Sequence, residues 1–142
     1  MKNSIRKDLW IIILMIVSFV GVLFVFKQLP AEIPMHWNVN GQVDRYGDRI
    51  NILYLAGLPL GLYVLFLVIP LIDPRKENYD KHEKAYRMTK FGVILLLMSI
   101  TWITILYTLE MITDVERVIL WGVGMLFIVI GNYMRQIRSN FF

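Results

Sequence analysis

The chain has 142 residues, 57% of them hydrophobic, a formal net charge of +4 and no cysteine. The apolar share exceeds the roughly 45–50% usual for soluble proteins. The lack of cysteine excludes disulfides, thiolate nucleophiles and Cys-based zinc sites.

The apolar residues are concentrated in four runs without Asp, Glu, Lys or Arg. The first is Leu9–Phe26, with 18 residues. A membrane helix needs about 20 apolar residues, with a range of roughly 17–25. A secretory signal has an apolar stretch of about 7–15 residues and a small-residue cleavage site. This run is longer and is followed by Lys27, Gln28, Leu29 and Pro30, so it reads as a retained span. The other runs are Ile50–Ile72 (23 residues), Phe91–Leu109 (19) and Val118–Met134 (17). Bilayer hydrocarbon offers no water to unpaired backbone groups, so all four should be helices. The predicted fold is an all-α membrane protein, a four-transmembrane-helix bundle forming one domain. Its spans lie at about 9–26, 50–72, 91–109 and 118–134. An ordered extracytoplasmic loop at 27–49, in the form of a short β-hairpin, follows helix 1.

That loop reads KQLPAEIPMHWNVNGQVDRYGDR. Pro30 and Pro34 push Leu29 and Ile33 towards extended conformations. Asn40-Gly41 suits a type I′ hairpin turn flanked by Val39 and Gln42. In that register Trp37 faces Asp44 and His36 faces Arg45. Gly47 offers a second turn, and Asp48 a cap for helix 2. Within helix 2, Pro59 and Pro70 predict kinks, and Gly57 with Gly61 forms a GxxxG pair suited to close helix approach.

The 73–90 segment reads as a cytoplasmic helix capped by Asp73-Pro74. Glu77–Lys81, Asp80–Lys84 and Glu83–Arg87 are acid-to-base pairs four residues apart that support it. Tyr79 and Tyr86 share a face suited to the headgroup level. His82 reads as a solvated helix residue. In the third run, Ser99, Thr101 and Thr104 suit helix–helix hydrogen bonds. Glu110 follows as an interfacial carboxylate, and Thr113-Asp-Val-Glu116 fits a capping box opening helix 4.

The distribution of basic residues sets the topology. Lys2, Arg6 and Lys7, six residues of the 73–90 loop (Arg75, Lys76, Lys81, Lys84, Arg87, Lys90), and Arg135 with Arg138 make eleven on one side. Lys27, Arg45, Arg49 and Arg117 make four on the other. The positive-inside rule puts both termini and the 73–90 loop in the cytoplasm. The basic excess is thereby explained without a nucleic-acid partner.

Three readings of the 27–49 loop stand side by side. In the first it is a recognition surface, with His36, Trp37, Asn38, Gly41, Asp44, Tyr46, Gly47 and Arg49 binding a ligand or organising the loop. The second is a metal site using His36 with Asp44 and Asp48, although zinc sites usually have three or four protein ligands. The third is a self-satisfied cap on the bundle, with Trp37 and Tyr46 as interfacial anchors. There is no GxSxG, HExxH or Gly-rich phosphate loop, and no serine in the loop to pair with His36. Catalysis and cofactors are therefore not expected.

The order LPAEIPMHWNVNGQVDRYGDR resembles the signature loop of SdpI-like bacterial membrane proteins. It matches their N-terminal domain of unknown function at Leu29, Pro30, Ile33, Pro34, His36, Asn38, Gly41, Asp44 and Gly47. IDPRKENY at 72–79 and GNYMRQIRSNFF at 131–142 are similar to further segments of that family. The resemblance implies a multi-pass plasma-membrane protein without known catalysis. It further implies immunity against a secreted toxic peptide, and signalling by holding a repressor at the membrane. Members continue with a Gly-Ile-Arg-Thr-Pro-Trp segment and further helices, whereas this chain stops at Phe142. A short variant or truncated form is expected.

Overall fold

The computed structural model describes residues 2–38, 40–73 and 83–137. Helix α1 (Lys2–Val25) ends in a 3₁₀ turn, Phe26–Gln28. Strands β1 (Glu32–Trp37) and β2 (Val43–Asp48) follow, then helices α2 (Asn51–Ile72), α3 (Glu83–Thr108) and α4 (Val115–Ile137). All four helices are long and apolar enough to cross a membrane. The helices of spans 1, 3 and 4 run beyond the uncharged runs at one end or both, because charged flanking residues continue the backbone hydrogen bonding.

The chain leaves α1 extended, with Leu29 at φ −74° and ψ 143°, as the following proline demands. β1 and β2 pair antiparallel as a two-stranded hairpin. It sits at the end of the bundle where α1 and α3 finish and α2 and α4 begin.

Two apolar clusters hold the bundle. At the hairpin end Val22, Leu29, Ile33, Ile52, Ala56 and Ile105 pack together. Toward the opposite end Ile11, Met15, Tyr63, Phe91, Ile94 and Met98 form the second cluster. Helix α3 contributes to both and also carries α4, so it is the central helix. At the α3–α4 seam a methyl group on Gly92 would lie 2.6 Å from Leu126, and one on Gly122 would lie 3.3 Å from Leu96. Glycine there lets the helices approach closely. The expected Gly57/Gly61 pair is not such a seat: Gly57 only reaches Phe19 at 4.0 Å, and Gly61 has nothing within 4 Å.

Other expectations need correction. Ser99, Thr101 and Thr104 do not bridge helices. Their hydroxyls donate to the carbonyls of Leu95, Leu97 and Ile100, four residues back in the same helix, as mid-helix Ser and Thr commonly do. One interhelical bond from this part of α3 runs instead from the Trp102 indole N–H to Ser18 Oγ, 2.8 Å. The Tyr86 hydroxyl donates to the Phe66 carbonyl of α2 at 2.6 Å. The Glu83–Arg87 pair forms at 3.0 Å. The Pro74 start, Tyr79, His82 and the other two pairs involve positions outside the described residues. Helix α4 starts at Val115, which leaves Asp114 just ahead of it, paired with Arg117 at 3.1 Å. The start therefore falls one residue later than a Thr113-led box requires.

The end of α3 is a Schellman motif. The Met111 N–H reaches the Leu106 carbonyl and the Glu110 N–H reaches the Tyr107 carbonyl, both at 2.9 Å. Glu110 occupies the left-handed position with φ 58°, a role beyond that of an interfacial carboxylate.

Candidate functional site

The hairpin pairs Glu32 with Asp48, Ile33 with Gly47, Pro34 with Tyr46, His36 with Arg45 and Trp37 with Val43. The His36–Arg45 pairing is as expected. Trp37 faces Val43 rather than Asp44, because the register shifts between Pro34 and His36 and again between His36 and Trp37. A bulge of this kind slips one strand past the other and re-aims its side chains.

The turn also differs from the two-residue form. The Asn38 N–H donates to the Gln42 carbonyl at 2.8 Å, and the Gly41 N–H donates to the Asn38 carbonyl at 3.0 Å. The Asn38 side-chain oxygen accepts from the N–H groups of Asn40 (2.9 Å) and Gln42 (3.0 Å). Asn38 therefore organises a longer turn. Gly41 takes a left-handed conformation there (φ 71°). The residues that close the turn are Asn38 and Gln42, not the Val39–Gln42 pair of a two-residue type I′ turn.

Two further loop residues are structural. Gly47 is not a turn residue: it lies in β2, where a methyl group would come within 2.8 Å of the Met35 side chain. Arg49 donates to the Leu29 carbonyl at 3.2 Å and covers the Phe26 ring at 5.2 Å. It ties the start of the loop to its end. Asp48 accepts from the Ile50 N–H at 2.8 Å, just ahead of α2.

His36, Asp44 and Tyr46 face outward. His36 Nδ1 and Asp44 Oδ1 lie 2.6 Å apart on side chains 58% and 43% exposed. Tyr46 is 58% exposed. The metal reading fails on geometry. Asp48 stands opposite Glu32 at the far end of the ladder, four residues or about 13 Å of strand from Asp44. Among the described residues no three His, Asp or Glu side chains gather as a metal site.

Trp37 faces the bundle. Its ring meets Tyr107 of α3 edge-on, with centroids 5.7 Å apart and an interplanar angle of 86°. Its indole N–H is buried, with no acceptor among the described residues. The turn itself approaches α4: a methyl group on Gly41 would lie 3.2 Å from the Glu116 carboxylate. Asn40, Gly41 and residues 113–116 line a polar hollow of about 300 Å³ between them.

At the opposite end of the bundle lies a second site, made by Asp8 and by Lys90, which the charge pattern of the sequence places among the loop cations. Both are buried, Asp8 completely, and they form an ion pair between α1 and α3. The Tyr63 hydroxyl of α2 donates to the same Asp8 oxygen at 3.2 Å. The Lys90 ammonium also lies over the rings of Tyr63 and Phe91, at 5.1 and 5.3 Å. The other Asp8 oxygen has no partner among the described residues. Nearby, exposed Lys7 pairs with Glu83 at 2.7 Å. Asp8 continues the buried stripe of α1 through Ile11, Met15 and Val22, at i+3, i+7 and i+14, but α1 is too uniformly apolar for its sequence to mark that face.

Comparison with known proteins agrees with the hairpin's prominence. Residues 13–59 match a family described as a domain of unknown function, DUF1648. Over 135 residues the chain is 23% identical to the Immunity protein SdpI of Bacillus subtilis (strain 168), an alignment covering 95% of this chain. The chain spans 63% of that relative's length. No solved structure matches. With four membrane-length helices and the hairpin after the first, the chain is a membrane protein similar to SdpI along most of its length and to DUF1648 over residues 13–59.

Proposed function

We propose that this chain is an immunity protein of the bacterial plasma membrane, protecting the cell against a secreted toxic peptide without catalysis. The similarity to an immunity protein along 95% of the chain carries this reading. In it both termini are cytoplasmic and the hairpin faces outward, as the distribution of Lys and Arg favours. The toxic peptide is met by the exposed side of the hairpin, through His36, Asp44, Arg45 and Tyr46. A histidine–carboxylate pair beside an exposed tyrosine offers hydrogen bonding and aromatic contact, both common in protein recognition. The 73–90 segment is the face that holds a repressor, and no nucleic acid is bound directly.

A second reading has its own support. Asn38, Gly41, Gly47 and Arg49 are engaged within the loop, as they would be in a cap that only completes an accessory bundle.

The test is survival of a sensitive bacterium expressing the chain, challenged with medium from a toxin-secreting Bacillus subtilis strain. Protection by the unaltered chain is expected, as is its loss in His36→Ala/Tyr46→Ala at unchanged membrane level and thermal stability. Absence of protection by the unaltered chain refutes immunity against that toxin. Protection that falls only in variants that also lose stability supports the cap.

A further inference from the structure

Helix α3 is tied to α1 and its hairpin at three heights. At the hairpin end, Tyr107 meets the edge of Trp37. Lower down, the Trp102 indole N–H donates to Ser18 at 2.8 Å, and its ring sits over Gly21, where a methyl group would come within 3.0 Å. At the far end, Lys90 pairs with Asp8.

The three ties differ in quality. The middle one has a satisfied hydrogen bond and a ring held in a glycine notch. Both outer ones are incomplete among the described residues: the Trp37 N–H lacks an acceptor, and one Asp8 oxygen lacks a donor. A buried ion pair offsets its desolvation only when its remaining hydrogen bonds are made. The end ties are therefore the ones that yield.

The spacing is unequal as well. Tyr107 lies five residues from Trp102, about 7.5 Å along the helix, and Lys90 lies twelve residues away, about 18 Å. A rigid α3 turning about Trp102 magnifies a shift at Tyr107 about 2.4-fold at Lys90. A displacement of about 1 Å at the hairpin end then carries the ammonium beyond hydrogen-bond reach of Asp8.

We propose that α3 is a lever pivoting at Trp102, with the Asp8–Lys90 pair as its latch, so that disturbing the hairpin at Trp37 opens the far end of the bundle. The opened end is where α3 begins at Glu83, so the device passes the hairpin's state through the bundle. The proposal rests on packing alone, and its test uses no toxin, so its failure leaves the immunity reading standing.

The chain has no cysteine, so a single introduced thiol reports local opening. Ala85 is 4% exposed and lies near the latch on α3. Ala85→Cys in the purified full chain in micelles should react slowly with a maleimide. Adding Trp37→Ala, or separately Tyr107→Leu, should speed labelling at least about fivefold, the lower end of ordinary coupling between sites. In an Asp8→Leu/Lys90→Met background the same substitutions should change the rate less than about twofold. Apolar side chains tolerate a small slide that a directional charge pair does not. Met98→Cys, buried in mid-bundle, should keep its slow rate throughout. Three results overturn the proposal: no acceleration at position 85 with either hairpin-end substitution, equal acceleration without the charged pair, or equal acceleration at position 98.

Discussion

Breaking the Asp8–Lys90 pair from one side should be far more damaging than removing it altogether. Asp8→Leu leaves an ammonium on a side chain that is 3% exposed, with the Tyr63 and Phe91 rings beside it and no carboxylate to pair with. Lys90→Met leaves a fully buried carboxylate with one hydroxyl donor, Tyr63 at 3.2 Å, and one oxygen that already lacks a partner. An uncompensated buried charge costs about 3–5 kcal/mol, a large fraction of the 5–15 kcal/mol typical of a folded domain. The double variant Asp8→Leu/Lys90→Met removes both desolvation penalties and extends the apolar cluster of Ile11, Met15 and Phe91. It should lie between neutral and about 4 kcal/mol more stable than the unaltered chain. The single effects therefore should not add. Unfolding of the purified chain in mixed micelles, followed by tryptophan fluorescence, measures all four corners of the cycle. Lys7→Met is the internal control. Its pair with Glu83 joins side chains 48% and 51% exposed, and such a surface pair is worth about 0–1 kcal/mol. Single substitutions at Asp8 and Lys90 costing no more than Lys7→Met would show that the pair is solvated, and the reasoning would fail.

Two further outcomes follow from backbone geometry. Glu110→Gly should stabilise the chain by about 1 kcal/mol, because a side chain in the left-handed region costs roughly 1–2 kcal/mol and glycine returns part of that as unfolded-state entropy. Glu110→Ala keeps the left-handed cost, so equal stabilisation by alanine in the same unfolding assay would assign the effect to charge instead. Asn38→Ala removes the acceptor for two backbone N–H groups, each bond being worth about 0.5–1.5 kcal/mol. It should open the hairpin locally, seen as faster amide exchange at Asn40 and Gln42. Asn38→Asp, which keeps the acceptor, should retain the protection, and unchanged exchange in the alanine variant would refute the assigned role.

The four spans were legible in the sequence because each is an uninterrupted apolar run of membrane length. The hairpin was legible because Pro30, Pro34 and Asn40-Gly41 restrict the backbone locally. Its register was not. The slip around His36 depends on how Trp37 docks against Tyr107, a contact between residues 70 positions apart. For the same reason Asn38, rather than Asn40-Gly41, became the organiser of the turn. The buried pair was illegible for a different reason. Asp8 and Lys90 each stand one residue outside an apolar run, where a charge ordinarily marks the water interface. Whether such a charge turns inward is decided by which helix face meets its neighbour. Helix α1 is so uniformly apolar from Leu9 to Phe26 that its pattern scarcely distinguishes one face from another.

The stretch that matches DUF1648 coincides with one packing unit. Five of the six buried residues of the hairpin-end cluster (Val22, Leu29, Ile33, Ile52 and Ala56) lie within residues 13–59, and only Ile105 comes from outside. That segment is thus a helix end, a hairpin and a helix start folded around their own core and seated on α3. Asp8, Tyr63 and Lys90 all fall outside it. The hairpin's internal bonds through Asn38 and Arg49 keep its shape independent of what meets its outer side. Its coupling to the rest of the bundle is correspondingly narrow: Trp37 on Tyr107, Ile33 and its neighbours on Ile105, and the Gly41 turn against Glu116. A rigid cap joined to a long central helix by few contacts transmits force through those contacts rather than absorbing it by deformation. The outer side of the hairpin and the ion pair at the far end are therefore separable by substitution, and α3 is the element that links them.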